Sequence, residues 1–338
     1  MNLKTNYLGL EIKNPLVPSA SPLSKSLSSA RELEDSGAAA IIMYSLFEEA
    51  ITAESESMAR FLLHQDTGFA ETTGGFLPDH QDFENGRERY LEQIRKLKES
   101  LDIPVIASLN GVTTGGWVSH AAELAQAGAD ALELNVYYVA GDLSQTGAEV
   151  EERYLSLLRA LRDTVQIPIN MKLSPAFSSV GNFIGRLAGA GANGVALFNR
   201  FYQPDINIDS LRLQTRLYPS TSAEALLAMR WIAILHGRFE GLSLGATGGV
   251  HTAEDAIKLL LAGADVVHLC NVLLQKGPAY VGLILRGIED WMEDQGFESV
   301  ADFRGRVSAL SVPNPAELER SNYINVLDSY SPSSGVMT

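Results

Sequence analysis

The chain has 338 residues, 46% of them hydrophobic, which is enough to bury one large core, and no linker divides it. Its 41 acidic residues against 26 basic ones give a formal net charge of −15, which disfavours nucleic acid and anionic membrane as partners and suits a soluble cytoplasmic protein. The single cysteine, Cys270, excludes an internal disulfide and an iron–sulfur cluster held by this chain alone, and the six scattered histidines lack metal-ligand spacing, so no metal is expected. No stretch approaches the ~20 apolar residues of a membrane span, and MNLKTNYLGLEIKNP has neither the apolar core of a signal peptide nor an amphipathic anchor.

In chain order, the first twelve residues predict a short β-hairpin over the bottom of the fold. KNPLVPSA (13–20) predicts a buried strand ending at Ala20 and Ser21, followed by a helix over 26–35. SGAAAIIM (36–43) reads as helix end, glycine cap and buried strand, and ends in Tyr44 and Ser45. From Leu46 to Gly86 runs a polar connection carrying TTGGFLPDH, long enough to form a lid over the active face. A helix over 86–100 leads to DIPVIASL (102–109) and Asn110, and a helix over 117–127 leads to AGADALEL (127–134) and Asn135. After a helix over 148–164 comes QIPINMKL (166–173), which carries Lys172; after a helix over 180–190 comes AGANGVAL (190–197), then Asn199 and Arg200. A helix over 223–235 precedes FEGLSLGA (239–246), whose strand runs on to Gly248 and Gly249. The helix over 252–262 opens on Thr252 as N-cap with Asp255 three residues later, a capping-box pattern. AGADVVHL (262–269) continues as a strand as far as Leu273 through Cys270 and Asn271, and a helix over 279–294 follows.

Four AG-type joints of one design, interleaved with four strands of another type, give eight apolar strands alternating with helices. That pattern predicts a single (β/α)₈ TIM barrel over residues 1–310, with an open doubly wound sheet as the alternative. The tail 311–338 has no core of its own and is expected to be partly mobile.

Barrel enzymes carry their working residues at the C-terminal ends of the strands. Here those ends are rich in amides and hold one lysine, with no histidine or carboxylate cluster. Gly248 and Gly249, followed by a capped helix, form an anion-binding turn after the seventh strand, and Cys270 with Asn271 stands at the end of the eighth. Lys172, between Met171 and Leu173, is costly at a buried strand end unless an anion accompanies it. Two chemistries use such a lysine: stabilising the negative charge of a reduced flavin, and forming a Schiff base in a barrel lyase; a lysine that merely snorkels is the bland alternative. Cys270 reads as a small packed side chain that contributes its N–H, His268 as a satisfied core histidine, and His251 as lying at the mouth of the helix over 252–262.

The pieces NPLVPSAS (14–21), ELN (133–135), MKLSP (171–175), Asn199, ATGGVHTAEDAIKLLLAGADVV with its QKGPA continuation, and VADFRG (300–305) resemble the dihydroorotate dehydrogenase family of FMN-dependent barrels. The resemblance spans residues 7–307 and is most specific in the last third. It implies FMN as cofactor, with contacts from Ala20, Ser21, Ser45, Asn135 and Lys172 and phosphate contacts from Gly248, Gly249, Cys270 and Asn271. Asn199, with Asn135, would bind the substrate ring, and the cytosolic branch of the family, the closer match, suggests a homodimer. The chain departs from the family pattern after ELN. Where the family has a small residue, a catalytic Cys or Ser and then Pro-Asn, this chain has Val136, Tyr137, Tyr138, Val139 and Ala140. Tyr44 replaces a lysine before Ser45, and Thr72 or Thr73 stands in for the asparagine of the lid. Tyr138, at the position of the missing thiol or hydroxyl, is the expected catalytic partner of Lys172, with a packing role as the alternative. The resemblance thus implies oxidation of dihydroorotate or a related CH–CH bond; a non-catalytic flavin-binding homologue is the rival reading.

Overall fold

The computed structural model describes residues 1–47, 86–111, 114–201, 203–214 and 218–319. The predicted lid, apart from its two ends, lies outside the described residues, as do Thr72, Thr73 and the tail beyond 319.

The eight predicted barrel strands all form: β3 (Leu16–Pro18), β4 (Ile41–Phe47), β5 (Val105–Gly111), β6 (Ala131–Val136), β7 (Ile169–Leu173), β8 (Gly194–Leu197), β11 (Ser243–Thr247) and β12 (Val266–Leu269). They pair in parallel in the ring order of the chain, from β4 through β8 and β11 to β12, which returns to β3. The Ala39 N–H donates to the Leu16 carbonyl at 3.0 Å and stitches the remaining seam between β3 and β4. The hairpin of β1 (Thr5–Tyr7) and β2 (Leu10–Ile12) plugs the bottom: Leu8 N–H donates to Ser243 Oγ at 2.9 Å and Thr5 Oγ1 to the Asp265 carbonyl at 3.1 Å.

Because strand side chains alternate, each strand serves two cores. Leu132, Leu134, Ile169, Met171, Leu173, Val267 and Leu269 pack outward into the helix layer. Val17, Ile42, Ile106, Ala131 and Val266 pack inward with Tyr7 and Leu8 in a smaller cluster at the bottom of the lumen. Above that cluster the inward positions turn polar: Ser108, Glu133, Asn170, Lys172 and His268 are all buried. Polar side chains inside a barrel place the chemistry on the strands themselves.

The structure differs from the sequence reading in three places. The last strand stops at Leu269, because the chain turns at Cys270 and a short helix, Asn271–Lys276, begins there. Strand β4 runs on to Phe47, with a register shift between Ile42 and Ser45. Between β8 and the next helix an antiparallel pair forms, β9 (Asp205–Asn207) with β10 (Arg212–Gln214), which no periodicity announces because each strand has only three residues.

Among the side chains that tie the helix Gly86–Ser100 to the barrel, one hydroxyl makes two bonds. Tyr90 accepts from the Ser108 N–H at 2.9 Å and donates to the Ser108 carbonyl at 3.2 Å. Tyr90→Phe removes both bonds in a fully buried setting and should lower stability in urea denaturation by about 1–3 kcal/mol.

Candidate functional site

The C-terminal ends of the strands open into a cleft of about 1390 Å³. Of the residues predicted for the site, Ala20, Ser21, Ser45, Asn135, Lys172 and Asn199 line it together, with Tyr137, Asn110 and a face of the helix Gly86–Ser100. A chain of polar groups crosses its floor. Asn199 Nδ2 donates to Asn135 Oδ1 at 3.0 Å, Asn135 Nδ2 lies 3.4 Å from Ser45 Oγ, and Ser45 Oγ lies 2.9 Å from Ser108 Oγ. The amides therefore arrive held in fixed orientations by β4, β5, β6 and the end of β8.

Lys172 is 7% exposed and has the anion its burial demands. Its Nζ lies 3.4 Å from Oε1 of Glu133, which is wholly buried, and 3.2 Å from Ser19 Oγ. The other Glu133 oxygen accepts from Asn170 Nδ2 at 3.2 Å. The sequence marks Glu133 only as part of the ELN motif; its signal is an acid two residues before Asn135, hence on the same, inward side of β6. An ammonium paired to a carboxylate is a poor nucleophile, so the geometry speaks against the Schiff-base lyase.

The two tyrosines after β6 part company. Tyr137 lines the cleft and stacks on Phe201 with ring centroids 4.0 Å apart. Tyr138 is half-buried against the helix layer, donates to Gln145 Oε1 at 2.5 Å and carries the Arg153 guanidinium 4.1 Å over its ring. The cation beside Tyr138 is thus Arg153, and Arg200 pairs with Glu224.

Gly248, Gly249, Cys270 and Asn271 stand at the ends of β11 and β12, outside the residues that line the main cleft. Both glycines have left-handed backbones, with φ of 93° and 74°. A Cβ at Gly249 would sit 2.4 Å from the Ala225 nitrogen and 2.8 Å from the Thr221 carbonyl, so the chain passes too close for any side chain. Thr252 caps the helix Ala253–Ala262 in a capping box, as expected, and the two N–H groups just before the helix are taken. Asp255 Oδ2 accepts from the N–H groups of His251 and Thr252 and from Ser222 Oγ. No protein acceptor among the described residues takes the N–H of Gly248, Gly249, Cys270 or Asn271, and the buried Asn271 Nδ2 also has no partner. Unused donors around a glycine turn are the donor set a phosphate requires, so the residues present fit the phosphate of a flavin mononucleotide. Burial pushes the Cys270 thiol up, and its Sγ lies 3.9 Å from the Ala20 carbonyl, which agrees with a packed side chain.

His268 lies in the lumen with Nε2 3.3 Å from the Tyr7 hydroxyl, a core histidine as expected but only half satisfied, because its buried Nδ1 has no partner among the described residues. His251 Nε2 lies 3.0 Å from Ser220 Oγ at the start of the helix Ala253–Ala262. Among the described residues no helix is long and apolar enough to cross a membrane, and no group of three His, Cys, Asp or Glu could hold a metal ion.

The structure is thus a (β/α)₈ barrel with a buried cation and paired amides at its mouth and a left-handed glycine pair after the seventh strand. The family model of dihydroorotate dehydrogenase matches residues 2–292, and the chain belongs to that family. It is similar to the catalytic subunit of dihydroorotate dehydrogenase B (NAD(+)) of Methanothermobacter thermautotrophicus, with 27% identity over 90% of this chain and 97% of the relative. The corresponding catalytic subunit of Shouchella clausii is 28% identical over 90% of this chain and 97% of that protein. The NAD-dependent dihydropyrimidine dehydrogenase subunit PreA of Escherichia coli K12 is 26% identical over 95% of this chain and 80% of its own length. The chain is therefore an FMN-dependent oxidoreductase acting on CH–CH groups.

Two outcomes follow from this geometry. Gly249→Ala drives a Cβ into backbone at a left-handed position, and should cost more than about 1 kcal/mol of stability and weaken FMN binding in a fluorescence titration. Burial, with the Lys172 charge adding to it, pulls the His268 pKa from its ordinary 6.5 down to about 3. The unfolded chain then takes up this proton first, so the contribution is whole above pH 6.5 and is lost as the pH falls toward 3. The slope is at most about 1.4 kcal/mol per pH unit, and His268→Gln should flatten that limb of a stability–pH curve.

Proposed function

We propose that this chain is the flavin subunit of a cytoplasmic oxidoreductase that oxidises or reduces a CH–CH bond beside a carbonyl in a small, ring-shaped substrate of the dihydropyrimidine type. The observation that carries the reading is the buried Lys172 at the floor of the cleft, next to the Asn135–Asn199 amide pair. When bound, FMN supplies the hydride acceptor or donor. Gly248, Gly249, Cys270 and Asn271 hold its phosphate through backbone N–H groups and the Asn271 amide, while Ala20, Ser21, Ser45, Asn135 and Lys172 flank its ring. Lys172 stabilises negative charge that develops in the cleft, in a place where little water competes for it. Asn135 and Asn199 orient the substrate through its carbonyl and N–H edges.

The proton step is assigned to the loop after β6. Tyr137, which lines the cleft, donates to a carbonyl or a developing enolate; Tyr138, bound to Gln145 and Arg153, braces it from behind. Ala140 removes an amide that the family resemblance implies for a pyrimidine's polar edge, which favours a substrate with fewer polar groups there than dihydroorotate. With one cysteine, the chain itself cannot carry electrons away through an iron–sulfur cluster. A homodimer that passes them to a diffusible acceptor or to a second subunit is the assembly proposed, and both kinds of relative are named as subunits.

The purified protein should bind FMN and show the flavin absorbance band, and a dihydropyrimidine should bleach it anaerobically. Absence of the band after FMN addition overturns the reading. A bound flavin that neither dihydroorotate, dihydrouracil nor NADH reduces leaves a non-catalytic flavin protein. On a confirmed substrate, Tyr137→Phe should lower kcat by about 10²-fold and Tyr138→Phe by far less; the opposite order assigns the step to Tyr138.

A further inference from the structure

The carboxylate beneath Lys172 has no part in binding so far, yet it is the wholly buried member of the lumen's charged pair. Lys172 Nζ makes two contacts among the described residues: the ion pair with Glu133 at 3.4 Å and a hydrogen bond to the neutral Ser19 hydroxyl at 3.2 Å. Glu133 is fixed from its other side by Asn170 Nδ2 at 3.2 Å, so the carboxylate cannot swing away without breaking a buried bond. Two opposite charges this close act from the cleft as a dipole, and the field at a neighbouring group is far weaker than that of a lone ammonium.

We propose that Glu133 is a positioning residue that both anchors Lys172 at the cleft floor and offsets its charge, so that the site favours the reduced, more negative form of FMN less than an unpaired lysine would. The inference rests on the FMN reading given above. Its consequence is a flavin tuned toward a lower reduction potential, suited to passing electrons on rather than retaining them.

The test is the midpoint potential of protein-bound FMN, together with the separate affinities for oxidised and reduced FMN. Glu133→Gln unmasks the ammonium and should raise the preference for reduced over oxidised FMN by about tenfold, which is ~30 mV for the two-electron couple. Glu133→Asp keeps the counter-charge and should stay near the wild-type value. Lys172→Met should shift the preference the other way. The double variant Lys172→Met/Glu133→Gln removes both charges together, a change buried pairs often tolerate, and should return close to wild type. Should Glu133→Gln not fold, the double variant decides. A Glu133→Gln potential equal to wild type, an equal shift in Glu133→Asp, or a double variant that follows Lys172→Met alone overturns the inference. Wild-type protein that binds no FMN overturns the underlying reading instead.

Discussion

Closing eight parallel strands into a ring creates a lumen that helices cannot cover, so an inward polar side chain depends on other inward groups for its partners. At the bottom the solution is apolar, with Val17, Ile106, Ala131 and Val266 around the hairpin residues Tyr7 and Leu8. Higher up, the same alternation turns Glu133, Asn170, Lys172 and His268 inward: Glu133 bonds both Asn170 and Lys172, and His268 bonds the Tyr7 hydroxyl. The site is the top of that layer. Lys172 and Asn135 are offered to the cleft by adjacent strands paired in register, so their separation is set by the barrel and not by a loop.

The anion turn depends on a different economy. Its glycines are needed for two reasons at once: a left-handed backbone and the passage of residues 221–225 within contact distance. Asp255 accepts from the His251 and Thr252 N–H groups just before the following helix and also holds Ser222, so the turn, the N-cap and the returning chain are one hydrogen-bonded unit.

Much of this is legible in the amino-acid sequence because barrel joints repeat. The AG-type joints mark strand starts, and Lys172 between two apolar neighbours declares a buried charge. Its partner is harder to see. Glu133 lies 39 positions away in a strand that otherwise reads as apolar, and only the parallel register of β6 with β7 sets them side by side. The two tyrosines are beyond sequence reasoning for a related reason: adjacent residues point to opposite sides, and which one faces the cleft depends on how the chain leaves β6. The three-residue strands β9 and β10 are too short to imprint a period; Asn207 Oδ1, accepting from the Asp209 and Ser210 N–H groups, sets their turn locally.

The bottom plug carries a consequence for how the molecule is made. Tyr7, Leu8 and Thr5 are bonded to His268, Ser243 and Asp265, partners 235 to 261 positions later in the chain, and β3 pairs with β12. On a ribosome the first strand and its hairpin emerge long before anything exists to receive them. The inward apolar face of residues 7–17 must therefore wait, exposed, through synthesis of nearly the whole barrel. Ring closure therefore cannot precede synthesis of the last strand, which makes it a contact of long sequence separation and, by that measure, a slow one to form.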